Sequence, residues 1–273
     1  MMEDLEKLIH LPQRGEYMEI RLEKIFSTTI RVQNGMVEKI RMGTDEGGYV
    51  RLLTPRGSWW FESFQRWEGL REKVERAING VSLLPSSGIE VVRRAPVRSE
   101  EKVALTDDFR FKSLEDKTSL LLEYNRILKE ISPLLVSSLV EYRDEFRQIY
   151  LANSDGSLIY WEKPDIGLNF IATARRGDNI EMYRDGVAGK VGFELVKNRE
   201  NLAQEVGQKA VLLLEAPSFP GGVYDVVLDP VLAGVFIHEA FGHLSESDTL
   251  YRNEELKRIM AKGKRVSSSV LNV

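Results

Sequence analysis

Cysteine is absent from this chain of 273 residues, which excludes disulfide bonds, thiolate metal ligands and cysteine nucleophiles within it. No run of about 18 apolar residues occurs, so we expect no contact with a membrane interior. The amino terminus, MMEDLEKLIH, is acidic and amphipathic, and is therefore unlike a signal peptide. Together these absences favour a cytoplasmic protein.

An excess of positive charge is also lacking, since the net charge is −4. Without a basic stripe or a positive field, we expect no direct binding of nucleic acid. Hydrophobic residues make up 42% and charged residues 29%, which are the values of a folded globular protein.

Alternating and turn-bounded apolar residues predict much β-structure. Met18, Ile20 and Leu22 alternate with charged residues, and Asn34-Gly35 joins the segments 27–33 and 36–42 in a predicted hairpin. The stretch 134–184 is typical of a β-meander. Its predicted turns are Asp144-Glu145, Asn153–Gly156 and Arg176-Gly177-Asp178.

Apolar residues at helical spacing predict helices over 67–79 and 194–214, and another between Ser113 and Pro133. The mixture predicts an α+β fold, with helices and an antiparallel sheet in an N-terminal region, 1–218. An internal boundary is expected near 81–112, where the pattern is least regular. A short buried strand is predicted over 224–228, inside a separate region, 219–273.

The segment DPVLAGVFIHEAFGHLSESD carries the clearest chemical signal. Asp229 is a predicted N-cap with proline directly after it, so a helix is expected over 230–244. Two of the three histidines of the chain, His238 and His243, lie in it, and Glu239 follows the first. Imidazole nitrogens suit Zn²⁺, and a carboxylate beside a metal can accept a proton from water.

The spacing of the histidines argues against a shared site on a regular helix. Zinc peptidases with the pattern His-Glu-x-x-His place the histidines at i and i+4. At i and i+5, His238 and His243 point roughly 140° apart on an ideal α-helix. One metal requires the helix to bulge or loosen near Gly242. The alternative to a metal site is that His238 is a core histidine, Glu239 a solvated charge and His243 a cation at the helix end.

The hexapeptide HEAFGH, preceded by GVFI and followed by LSESD, resembles the signature of the TldD/PmbA family, the metallopeptidases also called modulators of DNA gyrase. The segment RRGDNIEMYRDGVAGKVGFEL is similar to a second region of that family. The segments IRVQNGMVEKI and GGYVRLLTPRGSWWFES are similar to its N-terminal hairpin region. The resemblance covers nearly the whole chain.

The resemblance implies that His238 and His243 bind Zn²⁺ and that Glu239 is the general base. The family's third zinc ligand is a cysteine far downstream, in the C-terminal domain, and this chain has none. We therefore expect 219–273 to be the beginning of a β-rich catalytic domain whose larger part is missing. The chain alone is then expected to be inactive.

The resemblance also implies the function, which is zinc-dependent hydrolysis of peptides or unfolded polypeptides. The expected partner is a homologous TldD/PmbA-family subunit, in a homodimer or a heterodimer. The alternative is a non-catalytic subunit or fragment that binds its homologue or a peptide.

Several further residues are candidates for a metal or substrate site, and each also has a simpler structural explanation. Glu246 and Asp248 are either a substitute third ligand or a solvated helix end. His10 is predicted to be a cation at the end of the first helix. Trp59-Trp60 either lines a peptide surface or packs in the core, and the run 175–178 either binds a carboxylate or forms a turn.

Overall fold

A computed structural model of the protein describes residues 1–11, 17–54, 57–81, 92 and 94–270. The chain divides into two compact units, Met1–Ala216 and Pro217–Val273. Of the predicted connection over 81–112, residues 82–91 and 93 lie outside the described part. None of the described helices combines the length and apolar composition that a membrane crossing requires.

A seven-stranded sheet forms the centre of the first unit, in the order β3-β2-β1-β5-β6-β4, with β7 also paired to β6. The strands are β1 (Tyr17–Gln33), β2 (Met36–Leu53), β3 (Trp59–Phe64), β4 (Arg98–Glu101), β5 (Leu135–Asn153), β6 (Leu158–Arg176) and β7 (Asn179–Gly189). Only β4 joins its neighbour in parallel. This mostly antiparallel sheet with helices confirms the predicted α+β class.

The helices of the first unit bury two apolar clusters of the sheet. They are α1 (Met2–Ile9), α2 (Leu70–Val81), α3 (Leu114–Glu130) and α4 (Glu200–Leu213). The cluster under α1 and α2 includes Met18, Ile20 and Leu22, so their predicted alternation is confirmed. The cluster under α3 and α4 includes Ile30 and Phe170. Alternate residues of one long strand, β1, therefore contribute to both clusters.

The predicted turn at Asp144-Glu145 is wrong, because both residues lie in the middle of the continuous strand β5. Asp144 is 3% exposed and forms a salt bridge with Lys117 of α3, which is equally buried. The hydroxyl of Tyr142 also donates to Asp144. A buried carboxylate is tolerated when a cation and a hydroxyl neutralise it, and this partner on a distant helix is invisible in the local pattern.

Strands also continue through two other places where the local pattern is irregular. The segments 18–22 and 27–33 belong to the single strand β1, and Pro164 lies inside β6. By contrast, the turns at Asn153–Gly156 and at Gly177 are confirmed, and both glycines have positive φ, +97° and +62°. Strand pairing across the sheet therefore decides strand length more than local composition does.

The predicted helices are confirmed with shifted ends. Helix α2 begins at Leu70, after Gly69 at φ +65°, and not at Trp67. The predicted helix over 194–214 is a 3₁₀ turn, Phe193–Val196, followed by α4 from Glu200. Between these two helical segments Asn198 has φ +55°, a conformation that a regular helix cannot contain.

The regular elements that the structure describes in the second unit are all helical. It contains α5 (Pro230–Ile237), a π-helical turn (His238–Gly242), a 3₁₀ turn (His243–Ser245), α6 (Ser247–Arg252) and α7 (Glu254–Ile259). The predicted strand over 224–228 is wrong, since these residues form no strand and Val227 is fully exposed. The β-rich character expected for the larger catalytic domain stays a prediction.

The predicted hairpin at Asn34-Gly35 is confirmed, and a buried asparagine of α3 fixes it to the sheet. Asn125 donates to the carbonyls of Val32 and Ser138 at 3.1 and 3.0 Å, and accepts from the amide of Gly35 at 2.7 Å. The side chain is completely buried. It therefore satisfies three backbone groups that would otherwise lose hydrogen bonds.

Replacing Asn125 with leucine should lower the free energy of unfolding by about 2–4 kcal/mol, because three buried backbone partners lose their hydrogen bonds. The measurement is urea denaturation followed by circular dichroism. Asn169→Ala is the matched control, since Asn169 is exposed on β6, and it should change the free energy by less than about 0.5 kcal/mol. Equal losses in both variants would contradict this role.

A second buried polar cluster lies where β1, β2 and β5 meet. Glu19 is 6% exposed and accepts hydrogen bonds from Tyr17 (2.8 Å), Tyr49 (2.7 Å) and Arg51 (3.0 Å). Burial by itself raises the pKa of Glu19, but the hydrogen bonds from Tyr49, Arg51 and Tyr17 outweigh it and lower the pKa below its ordinary value. Burial and this carboxylate raise the pKa of each tyrosine to about 12.

The lowered pKa of Glu19 predicts acid sensitivity. The ionised group stabilises the folded state above the ordinary glutamate pKa of 4.5, and that contribution is lost as the pH falls below it. Wild type should therefore lose more stability than Glu19→Gln between pH 6 and pH 3 in urea denaturation. A stability difference between the two proteins that stays constant over this range would show that Glu19 does not cause the sensitivity.

Candidate metal centre

The helix that carries the histidines begins as its sequence predicts. The side chain of Asp229 accepts a hydrogen bond from the amide of Leu232 at 2.7 Å, and Pro230 occupies the first turn. The cap satisfies an amide that has no partner within the helix. From this fixed start, α5 runs for two turns to His238, where its winding changes.

The winding change brings the two histidines together. The backbone amide of His243 donates to the carbonyl of His238, an i+5 to i bond that defines a π-helical turn. A π turn holds more residues per turn than an α-helix, so residues five apart lie on the same side. The imidazole centroids are 4.6 Å apart, with the rings at 69°. The loosening expected near Gly242 is therefore present.

Gly242 lies inside this turn with ordinary helical dihedral angles, φ −54° and ψ −60°. A Cβ at this position would lie 3.6 Å from Nδ1 of His238, which is an ordinary contact distance, so the turn does not require glycine for space. The loosening therefore comes from the hydrogen-bond pattern of the backbone, and not from a left-handed glycine.

His238, Glu239 and His243 offer three metal-ligating atoms that all lie within 4.8 Å of one another. Two ligands of a tetrahedral zinc ion are about 3.3 Å apart, given bonds of about 2.05 Å. Because all three side chains are exposed, their rotation can shorten the separation of the ligand atoms from up to 4.8 Å to that distance. Imidazole nitrogens are ligands that zinc accepts, so the two histidines fit the ion, and the carboxylate of Glu239 lies beside them. Among the described residues, no other histidine or acid joins the cluster.

The two nitrogens of His243 have different neighbours. Nε2 lies 3.9 Å from a carboxylate oxygen of Glu239, and Nδ1 lies 2.9 Å from Oε1 of Glu246. Glu239 is thus on the same side of the ring as the nitrogen that faces the cluster. Its side chain is 65% exposed, which leaves it open to water and substrate.

Glu246, a candidate for a substitute third ligand or a solvated residue, is 52% exposed and also contacts Nδ1 of His243. The signal that was missed is the i, i+3 spacing from His243, which brings a carboxylate to a helical neighbour. Asp248 lies in the first turn of α6 and is not part of the three-residue cluster. The third ligand therefore stays unidentified within the described residues.

The other candidate residues lie in the first unit. His10 caps the end of α1, as predicted. The two tryptophans separate, since Trp60 packs on the core beneath α2 while Trp59 is 39% exposed. In the run 175–178, Arg175 donates to the carbonyl of Gly177 and Arg176 pairs with Glu215. That run therefore forms a turn, which was the plainer of its two alternatives.

Family models match two parts of the chain. Residues 18–80 match the PmbA/TldA metallopeptidase domain 1, and residues 107–214 match the PmbA/TldA metallopeptidase central domain. These two ranges hold most of the sheet and the helices of the first unit.

Curated relatives align with almost the whole chain. A metalloprotease of Synechocystis is 35% identical over 95% of the chain, and the aligned part is 56% of that protein. A protein of Saccharolobus solfataricus described as a zinc metalloprotease TldD homolog is 24% identical over 95% of the chain and 56% of its own length. The chain therefore spans about half the length of these relatives.

Solved structures share the fold at low sequence identity. A protein of Bacteroides thetaiotaomicron described as a modulator of DNA gyrase has a TM-score of 0.68 and 15% identity, over 89% of this chain and 55% of that one. TldE of Thermococcus kodakarensis has a TM-score of 0.57 and 14% identity, over 77% of this chain and 46% of that one. With the matched domains and the aligned metalloproteases, these likenesses establish that the chain belongs to the TldD/PmbA family of metallopeptidases.

Proposed function

We propose that this chain supplies two zinc ligands and the general base of a peptidase that hydrolyses peptides or unfolded polypeptides. The observation that carries the proposal is the π-helical turn, which brings His238 and His243 into one cluster with Glu239. The names of the relatives support a peptidase, and one of them names zinc.

Each residue has a separate task in the proposed reaction. His238 and His243 hold the ion through imidazole nitrogens. Zinc, when bound, lowers the pKa of water and polarises a carbonyl group. Glu239 lies beside His243, is exposed, and accepts the proton of the attacking water. A carboxylate that passes this proton to the leaving amine completes peptide hydrolysis.

The site needs a group from elsewhere to complete it. Catalytic zinc sites use three protein ligands, and the described residues supply two histidines besides the proposed base. The third ligand is then provided outside the described residues, either by a further part of the protein or by another chain.

A homologous subunit is the proposed partner, in a homodimer or a heterodimer. The fold that the chain shares with TldE supports this proposal. The helix α5 supports it too, because its sequence PVLAGVFI is apolar on every side and none of its residues is buried. A helix that is apolar all round is normally covered by other protein.

The second candidate function is a non-catalytic subunit that binds its homologue or a peptide. The lack of a third ligand among the described residues favours it. The presence of both histidines and the glutamate in one cluster favours the peptidase instead. Zinc content separates the two functions.

The protein assembled with its partner should bind zinc, and His238→Ala and His243→Ala should each lower its affinity by at least tenfold, because each removes one of two nitrogen ligands. The measurement is zinc titration in competition with a chromogenic chelator. His10→Ala is the control, since His10 lies in α1 of the first unit, and it should leave the affinity unchanged. If His238→Ala and His243→Ala bind zinc as wild type does, the metal lies elsewhere.

Glu239→Gln should retain zinc but lower the rate of peptide hydrolysis by about 10²–10⁴-fold, because glutamine cannot accept the proton. The assay follows cleavage of fluorescently labelled casein by the protein assembled with its partner. Glu255→Gln, an exposed change in α7, should leave the rate unchanged. Full activity of Glu239→Gln would remove Glu239 from the mechanism.

A further inference from the structure

Glu246 and Glu239 contact different nitrogens of the same imidazole. Oε1 of Glu246 is 2.9 Å from Nδ1 of His243, and a carboxylate oxygen of Glu239 is 3.9 Å from Nε2. The first distance is a hydrogen bond and the second is a looser approach. The ring therefore has one nitrogen engaged and one directed toward the proposed metal.

We propose that Glu246 is a positioning residue that selects the form of His243 able to bind the metal. An ionised carboxylate accepts hydrogen bonds and donates none, so Nδ1 must carry the proton. In neutral imidazole Nε2 then holds the free electron pair and is the ligand atom. This inference rests on the proposed function, in which His243 binds zinc.

The backbone on either side holds Glu246 in place. The 3₁₀ turn at 243–245 brings the chain back over His243, and Oγ of Ser245 closes this turn on the carbonyl of Gly242 at 2.8 Å. Glu246 itself is extended, with φ −64° and ψ 134°. Its carbonyl then accepts from the amide of Leu250 in α6, at 3.0 Å. Hydrogen-bonded turns thus precede and follow the carboxylate.

The same geometry excludes Glu246 as a second ligand of the ion held by Nε2. The two nitrogens of an imidazole direct their bonds away from each other, so a carboxylate bonded at Nδ1 lies on the far side of the ring from Nε2. Carboxylates placed in this way behind a zinc-binding histidine fix its ring and raise the basicity of the ligand nitrogen.

Exposure limits what this contact contributes to folding. The side chains of His243 and Glu246 are 50% and 52% exposed, and exposed pairs of this kind stabilise a protein very little. Loss of Glu246 should therefore change the ring orientation and the metal affinity, and leave the melting temperature unchanged.

The test uses the full chain labelled with ¹⁵N-histidine, in wild type, Glu246→Ala and Glu246→Gln. Nuclear magnetic resonance of the zinc-free protein reports which nitrogen of His243 is protonated. Wild type should carry the proton on Nδ1, whereas Glu246→Ala should shift toward the Nε2-protonated form that a free histidine side chain prefers. Glutamine retains an oxygen acceptor, so Glu246→Gln should largely restore the wild-type form.

Zinc titration against a chelator gives the second readout. Glu246→Ala should weaken zinc binding by about 10–100-fold, and Glu246→Gln should recover part of this loss. Asp248→Ala removes the same charge two residues away, outside the ligand cluster, and should change neither the affinity nor the protonated nitrogen.

Three outcomes would overturn the proposal. These are an Nε2-protonated His243 in wild type, wild-type zinc affinity in Glu246→Ala, and a loss in Glu246→Gln as large as that in Glu246→Ala. The last result would mean that zinc binding needs the charged carboxylate of Glu246 itself, as it would if Glu246 were a metal ligand. If the protein assembled with its partner binds no zinc while Nδ1 carries the proton as expected, the proposed function fails and the contact with Glu246 stands.

Discussion

The pairing of β1 with β5 is the interaction on which the architecture of the first unit depends. It runs without interruption from Glu19 opposite Asn153 to Gln33 opposite Leu139. On one side β1 carries β2 and β3, and on the other β5 carries β6 and its neighbours. The two apolar clusters, each under its own pair of helices, are therefore parts of one sheet. A slip of one residue along this pair would turn both clusters toward solvent.

Local sequence signals predicted the places where the chain turns by its own chemistry. Asn34-Gly35 forms the hairpin turn, Ser113 caps α3 and Asp229 caps α5. In each case the contact that forms the turn or the cap joins residues only a few positions apart, so the local sequence is enough to predict it. The α+β class followed from the same kind of signal, the alternation of apolar residues along β1.

The wrong prediction of a turn at Asp144-Glu145 has its cause in ion pairs, which the turn preference of the two residues does not take into account. Asp144 and Glu145 are typical turn residues, yet Lys117 neutralises the first, and Arg143 and Arg147 pair with the second. For Glu145, burial alone would raise the pKa, but hydrogen bonds from these arginines keep it below its ordinary range. None of these five polar residues indicates its ion pair when it is considered alone.

The candidate metal centre was predictable in its residues and only partly in its geometry. The conflict between helix spacing and a shared metal indicated a loosened helix, and the structure has one. The orientation of His243 by Glu246 was not predicted, because it depends on a 3₁₀ turn directly after the π turn. Such a change of winding is set by the backbone hydrogen bonds of a few residues, which no apolar pattern records.

The π turn has a consequence for how such sites arise. An i+5 hydrogen bond within an otherwise regular helix is the expected product of inserting a single residue. A His-Glu-x-x-His helix that gains one residue between its histidines would keep both on one side if the surplus is absorbed as a π turn. The five-residue spacing of His238 and His243 is therefore one insertion away from the commoner motif, and searches restricted to four-residue spacing would pass over sites of equivalent geometry.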